Sequence, residues 1–294
     1  MDVTIEEFVV SDGEGSPYGV AAGADGAIWF TLAGAGKIGR FVPGAALEVF
    51  DLPNPEGQPT AIMAAPDGAM WFTQTRDNSI GRITPSGDVA IFRAPTPDAA
   101  PCGMAVGHDG ALWFTEMNAD RIGRVSLDGR VTEYRLPFAG GYPSAIVAGP
   151  GEQMWFTLNQ ADAICSISLA GVVAIRAQLA VGAAPVGLAA GRDDVWFVEI
   201  GGGKIGRCSA SGEVTEYPLW DDSAKPHAIV ADPAGGFWFT AWAANRIGYI
   251  SGAGEITSFP IPTPNAEPHG ITITPEGDVW AALEVGSLLR LSRK

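Results

Sequence analysis

The chain lacks long hydrophobic runs. Although 47% of its 294 residues are hydrophobic, no stretch is long enough to cross a membrane, and the opening "MDVTIEEF" has no apolar segment behind basic residues. Neither a membrane anchor nor a signal peptide is expected, and the cytoplasm is the expected location. Cysteine is scarce too. Cys102, Cys165 and Cys208 stand apart with no metal-ligand spacing, which argues against a disulfide framework and for reduced, structural residues. Positive charge is in short supply: 18 Lys and Arg face 33 Asp and Glu, for a net charge of -15. That balance disfavours nucleic acid and anionic membranes as partners and tolerates a cation. Helical periodicity, coiled-coil heptads and a phosphate-cradling glycine loop are missing as well.

What the chain has instead is a repeat. Pro17, Pro59, Pro101, Pro143, Pro185, Pro226 and Pro268 anchor seven copies, every spacing being 42 residues except one of 41. Each copy carries a tryptophan 11 or 12 residues after its proline, usually within "WFT", and an Ile or Leu nine residues later, usually within "IGR". This period is that of propeller blades. Within a copy such as "PCGMAVGHDGALWFTEMNADRIGRVSLDGRVTEYRLP", four short apolar or alternating runs are parted by turn signals, which predicts four strands. An aromatic residue precedes each following proline by nine residues (Phe50, Phe92, Tyr134, Tyr217, Phe259), with Arg176 the exception, and Phe8 fits the same column before Pro17. The fold predicted is an all-β, seven-bladed β-propeller of four-stranded antiparallel blades forming a single domain over 1–294. Residues 3–10 supply the fourth strand of the last blade, closing an edge that would otherwise lie bare.

A scaffold names no function, so the informative positions are those where the repeat is rewritten. The first strand of a blade lines the central channel, and the residue after each proline should ring one mouth: Tyr18, Thr60, Cys102, Ser144, Val186, His227 and His269. Both ring histidines sit in neighbouring blades, with Tyr18 next. Glu267 precedes Pro268 where other copies have Ser16, Gln58, Ala100, Tyr142, Ala184 and Lys225. Glu284 lies four residues after Trp280, where the others have Ala33, Thr75, Met117, Asn159, Ile200 and Trp242. Both carboxylates should reach the mouth that holds His269. Trp242, beside His227, is a candidate stacking platform for a ligand. His108 falls in a turn on the opposite face and reads as structural. Glu116 and Glu199 fall on the other side of an alternating strand and read as structural or rim residues.

With "KPHAI" in blade six, "EPHGI" in blade seven and Glu284 after the following strand, a chain built throughout of "WFT…IGR" repeats resembles the virginiamycin B (streptogramin B) lyase family. The resemblance implies a magnesium-dependent lyase that opens type B streptogramins, cyclic hexadepsipeptide antibiotics, at their ester linkage by elimination. It implies His269 as general base, Glu267 and Glu284 as Mg2+ ligands, and His227 as a substrate contact; Tyr18 and Trp242, from their places at the mouth, are further candidates for binding substrate. Blade four departs most from the pattern, with "ICS" for "IGR" and Arg176 for an aromatic.

Chemistry agrees with that division of roles. Magnesium takes hard oxygen ligands and keeps several waters, which suits two carboxylates. A neutral imidazole near pH 7 is well placed to accept a proton. Two other classes stay open: a metal-dependent lactonase or esterase using the same residues to activate water, and a propeller that binds a peptide without catalysis. A closed ring with no apolar tail makes a monomer the expected state.

Overall fold

A computed structural model describes residues 2–12 and 15–293. It contains 28 strands and no helix among the described residues, arranged as seven four-stranded antiparallel sheets. Six sheets take four consecutive strands each. In the seventh the strand Val3–Val9 pairs with the carboxyl-terminal Ser287–Arg293, in register from Val3 opposite Arg293 to Val9 opposite Ser287. Val10 extends the clasp through its N–H to Gly286 O at 2.9 Å. The predicted blade count and closure are both observed.

The repeat motifs have definite mechanical roles. Each tryptophan is at most 2% exposed, so each blade buries one of the largest apolar side chains at its centre. Four of them stack on the fourth-strand aromatic with centroids 5.3–5.7 Å apart and rings within 15° of parallel. Phe8 does the same for Trp280 at 5.4 Å, so the clasp supplies core as well as hydrogen bonds. In blade four Arg176 takes the aromatic's place, its guanidinium 5.3 Å from the Trp155 ring centre while Nε donates to Ser166 Oγ at 2.7 Å. The exception in the column is thus a cation over the same indole face.

The Gly of "IGR" lies opposite the Phe of "WFT", and a Cβ at Gly248 would run into the Phe239 ring. Blade seven reverses the sizes, with Ala281 opposite Leu289, and stays filled. The Thr of "WFT" joins blades. Thr115 Oγ1 accepts from Gly103 N at 2.9 Å in its own first strand and donates to Ser144 O of the next blade at 2.9 Å. Thr31, Thr73, Thr157 and Thr240 donate in the same way to Thr60, Cys102, Val186 and His269 carbonyls. Val198 and Ala282 hold this column in blades five and seven.

Two backbone features aim side chains into the channel. In all seven blades the pairing of the first two strands slips by one residue just after the anchoring proline, a bulge that re-aims the ring residue. The residue before each proline is left-handed, with φ between 43° and 56° from Ser16 to Glu267. Such a conformation costs a non-glycine residue about 1–2 kcal/mol, so interblade packing must hold it at every repeat.

Candidate active site at the mouth of blades six, seven and one

Tyr18, His227 and His269, the three neighbours on the ring, meet as a packed group. The Tyr18 ring stacks on the His269 imidazole with centroids 4.5 Å apart and planes at 27°. His227 meets His269 edge-on at 4.8 Å, and Tyr18 Oη lies 3.3 Å from His227 Nε2. The bulge after each proline and the closeness of neighbouring first strands make this possible. A Cβ at Gly270 would stand 2.6 Å from Tyr18 O, so only glycine lets blade seven approach blade one so closely.

Burial sets the protonation of the group. It lowers the His227 pKa to about 3, with the adjacent His269 adding to the effect. His269 falls to about 4 through burial, although Glu267 acts in the opposite sense. Tyr18 is raised above its ordinary value by burial, then by Cys102 and Glu284. At neutral pH both imidazoles are therefore neutral and the phenol keeps its proton, so the group can take up a proton but holds none in excess.

Glu284 follows the second strand of blade seven (Val279–Leu283), and Glu267 precedes its first (Pro268–Ile273), the Glu284 N–H donating to Glu267 O at 3.3 Å. Both acids thus stand at one end of one blade, as their columns implied. Glu284 Oε2 lies 2.7 Å from His269 Nε2, while His269 Nδ1 is sealed from solvent without a partner. One ligand atom each from Glu267, His269 and Glu284 falls within a 4.8 Å cluster. Glu267 and Glu284 at that separation offer two hard carboxylate oxygens, which fit a magnesium-like cation, with the imidazole beside them.

Trp242 and Lys225 occupy in blade six the columns of Glu284 and Glu267, with the same backbone contact, Trp242 N to Lys225 O at 3.0 Å. Lys225 Nζ stands 5.5 Å from the indole centre, so one face of Trp242 carries a cation of its own. Its Nε1 is buried and unpartnered. A cleft of about 250 Å³ opens beside Tyr18 and Glu284 and runs to Gln58, Glu56 and Arg76 of the neighbouring blades. Arg76 was not among the sequence candidates. The signal lies one column past Glu284's, where Gly34, Arg76, Asn118, Gln160, Gly201, Ala243 and Val285 include a single charge.

The remaining residues singled out in the sequence lie elsewhere. His108 Nε2 pairs with Gly149 O at 3.0 Å, a structural contact. Glu116 and Glu199 are not rim residues: both are fully buried, with neither carboxylate oxygen hydrogen-bonded. Burial, then Glu133, raises Glu116 to about 8; burial, then Glu216, raises Glu199 to about 7. Cys102 lies on the ring with its thiol pushed up to about 11 by burial, which leaves it neutral and unreactive.

Comparison with known proteins gives the family. The virginiamycin B lyase family model matches residues 3–291. A virginiamycin B lyase of Nocardia farcinica is 52% identical over 54 residues, a stretch that covers 18% of this chain and only 19% of that relative. The crystal structure of virginiamycin B lyase from Staphylococcus aureus is 38% identical, covers all of both chains and superposes with a TM-score of 0.95. A catalytically inactive histidine-to-alanine variant of the S. aureus enzyme, solved with quinupristin, is 37% identical over the whole of both chains with a TM-score of 0.94. With full-length agreement in sequence and fold, this chain belongs to the virginiamycin B lyase family, a family of lyases.

Proposed function

We propose that this protein linearises type B streptogramins, cyclic depsipeptides, by β-elimination at the threonine ester linkage, with His269 as base and a magnesium ion held by Glu267 and Glu284. The convergence of Glu267, His269 and Glu284 within 4.8 Å at one channel mouth carries this reading. The relative solved with quinupristin supports the substrate class.

Each residue has work to do in such a reaction. His269 would accept the α-proton at Nε2 when Glu284 turns from it to the cation, the ring proton then residing on Nδ1, which is closed off from substrate. Burial depresses its pKa and keeps that imidazole unprotonated at neutral pH, so it is free to accept a proton. Tyr18 and His227 hold its plane, one by stacking and one edge-on, so the ring meets the substrate in one orientation. A magnesium ion held by Glu267 and Glu284 would polarise the ester carbonyl and so stabilise the carboxylate as it leaves. The electron pair of the broken C–H bond forms the new C=C bond as the ester carboxylate departs with the C–O electrons, and no water is consumed. The cleft running toward Gln58 and Arg76 offers room for part of a ligand larger than the mouth itself. The same reading takes the enzyme as a cytoplasmic monomer.

Mass spectrometry of the product tests the reaction class. Incubation with a type B streptogramin should give a linear product of unchanged mass, with activity lost in EDTA and restored by Mg2+. A product heavier by one water would make the protein a hydrolase instead, and no turnover at all would leave a binding propeller.

A further inference from the structure

The loop 261–268, "IPTPNAEP", leads from blade six into blade seven and ends on Glu267 and Pro268. It is gripped from two sides. On one side stands Asn245, itself left-handed with φ 54°. Its Nδ2 donates to Thr263 O at 2.9 Å and Ile261 O at 3.3 Å, and its Oδ1 accepts from Ala266 N at 2.8 Å. On the other side stands Glu7 of the amino-terminal strand, 256 residues away in sequence. Its carboxylate accepts from Thr263 N at 3.1 Å and from the Thr263 hydroxyl. Ala266, the last residue before Glu267, is completely buried. The Glu267 carbonyl is then taken by the N–H of Glu284 at 3.3 Å.

The same clamp occurs once more, without a ligand at its end. In the loop 94–101, "APTPDAAP", Asn78 Nδ2 donates to Thr96 O at 2.8 Å and Ala94 O at 3.4 Å, while Asn78 Oδ1 accepts from Ala99 N at 2.8 Å. Glu133 accepts from Thr96 N at 2.8 Å and Thr96 Oγ1 at 2.6 Å. Where blade seven has Glu267, this loop has Ala100, left-handed like its counterpart at φ 56°. A structural clamp has thus been used twice, and only one copy delivers a carboxylate to the mouth.

We propose that Glu7 and Asn245 are positioning residues for Glu267, locking the 261–266 segment so that the carboxylate stands ready for the cation; the proposal rests on the reading of Glu267 and Glu284 as metal ligands. Interblade packing holds the left-handed residue before proline in every blade, including those without this clamp; what the clamp adds is a fixed course for residues 261–266, and without it Glu267 would sample several positions. Glu267 would then have to be ordered by the cation itself, at the expense of affinity. The amino-terminal strand therefore serves the site as well as the ring, since it carries Glu7.

The two clamps provide their own control. Thr263→Val and Asn245→Asp weaken the loaded clamp; Thr96→Val and Asn78→Asp weaken the empty one. Aspartate is a natural occupant of this column at Asp120 and Asp162, so both Asn variants should fold. Magnesium affinity is measured by titration calorimetry on the full chain, beside the melting temperature. All four variants should melt at similarly lowered temperatures. Only Thr263→Val and Asn245→Asp should bind Mg2+ more weakly, by about tenfold, the lower end of losses from outer-shell changes at metal sites. Thr263→Ser, which keeps the hydroxyl, should restore the affinity. Wild-type affinity in both blade-seven variants overturns the positioning role, as does equal weakening in all four. Glu284→Gln separates the two layers: if the wild type binds no Mg2+, or Glu284→Gln binds as tightly as wild type, the metal reading falls and the positioning role with it. Loss in Glu284→Gln with none in Thr263→Val and Asn245→Asp removes the positioning role alone.

Discussion

His269 Nε2 stands 2.7 Å from Glu284 Oε2, and this contact joins the proposed base to one of the two carboxylates proposed as ligands. The imidazole cannot turn to use its other nitrogen, since Nδ1 is buried and the ring is pinned by Tyr18 and His227. The nitrogen proposed to take the proton thus lies against a carboxylate proposed to bind the cation.

From this contact, His269→Ala and Glu284→Gln should fail differently. His269→Ala should cut turnover by about 10²–10⁴-fold, the worth of a positioned base, while Mg2+ still binds. Glu284→Gln should lose activity that excess Mg2+ partly restores. Steady-state rates across a magnesium series check both. A His269→Ala enzyme near the wild-type rate would remove that residue from the base role.

The threonine stitch between blades should be a measurable part of ring stability. Thr115→Val leaves Gly103 N and Ser144 O without their partner inside the seam, which should cost about 2 kcal/mol. The converse, Val198→Thr, places a hydroxyl where five other blades have one and should stabilise by about 1 kcal/mol. Urea unfolding midpoints read both, and a Thr115→Val protein as stable as wild type would deny the stitch any energetic role.

Glu116 should make the fold less stable as pH rises. Its folded pKa of about 8 lies above its ordinary value of 4.5, so between those limits the native state holds a proton that the unfolded chain has released. The stability associated with that proton is fully present below about pH 4.5 and is lost as pH climbs through about 8. Glu116→Gln, neutral at every pH, should remove the slope and gain at least about 1 kcal/mol at pH 8. Unfolding at pH 5 and pH 8 measures the difference, and parallel pH profiles for the two proteins would show that Glu116 ionises normally.

Much of the fold was legible because each repeat encodes its own strands and turns locally. Tryptophan, threonine and glycine recur at fixed offsets, so blade number, closure by residues 3–10 and the ring column can be counted. Glu267, Glu284, His227 and His269 stood out for the same reason, as departures within a periodic background. Other features escaped that logic. Arg176 broke its column yet kept the contact, because a guanidinium and an aromatic ring can cover the same indole face. Alternation left Glu116 and Glu199 open as structural or rim residues, and only their full burial removed the rim reading, because burial at the end of a strand depends on the neighbouring blade, which no local pattern records.

By itself, then, the sequence determined the architecture and the columns in which chemistry was placed, since both follow from short-range periodicity. Only the tertiary structure decided how those columns meet. The bulge after each proline turns Tyr18, His227 and His269 into one packed group, and ring closure brings Glu7 to Thr263 across 256 residues. Such contacts are set by the geometry of closing seven twisted sheets into a circle, a constraint on the whole chain that no single repeat contains.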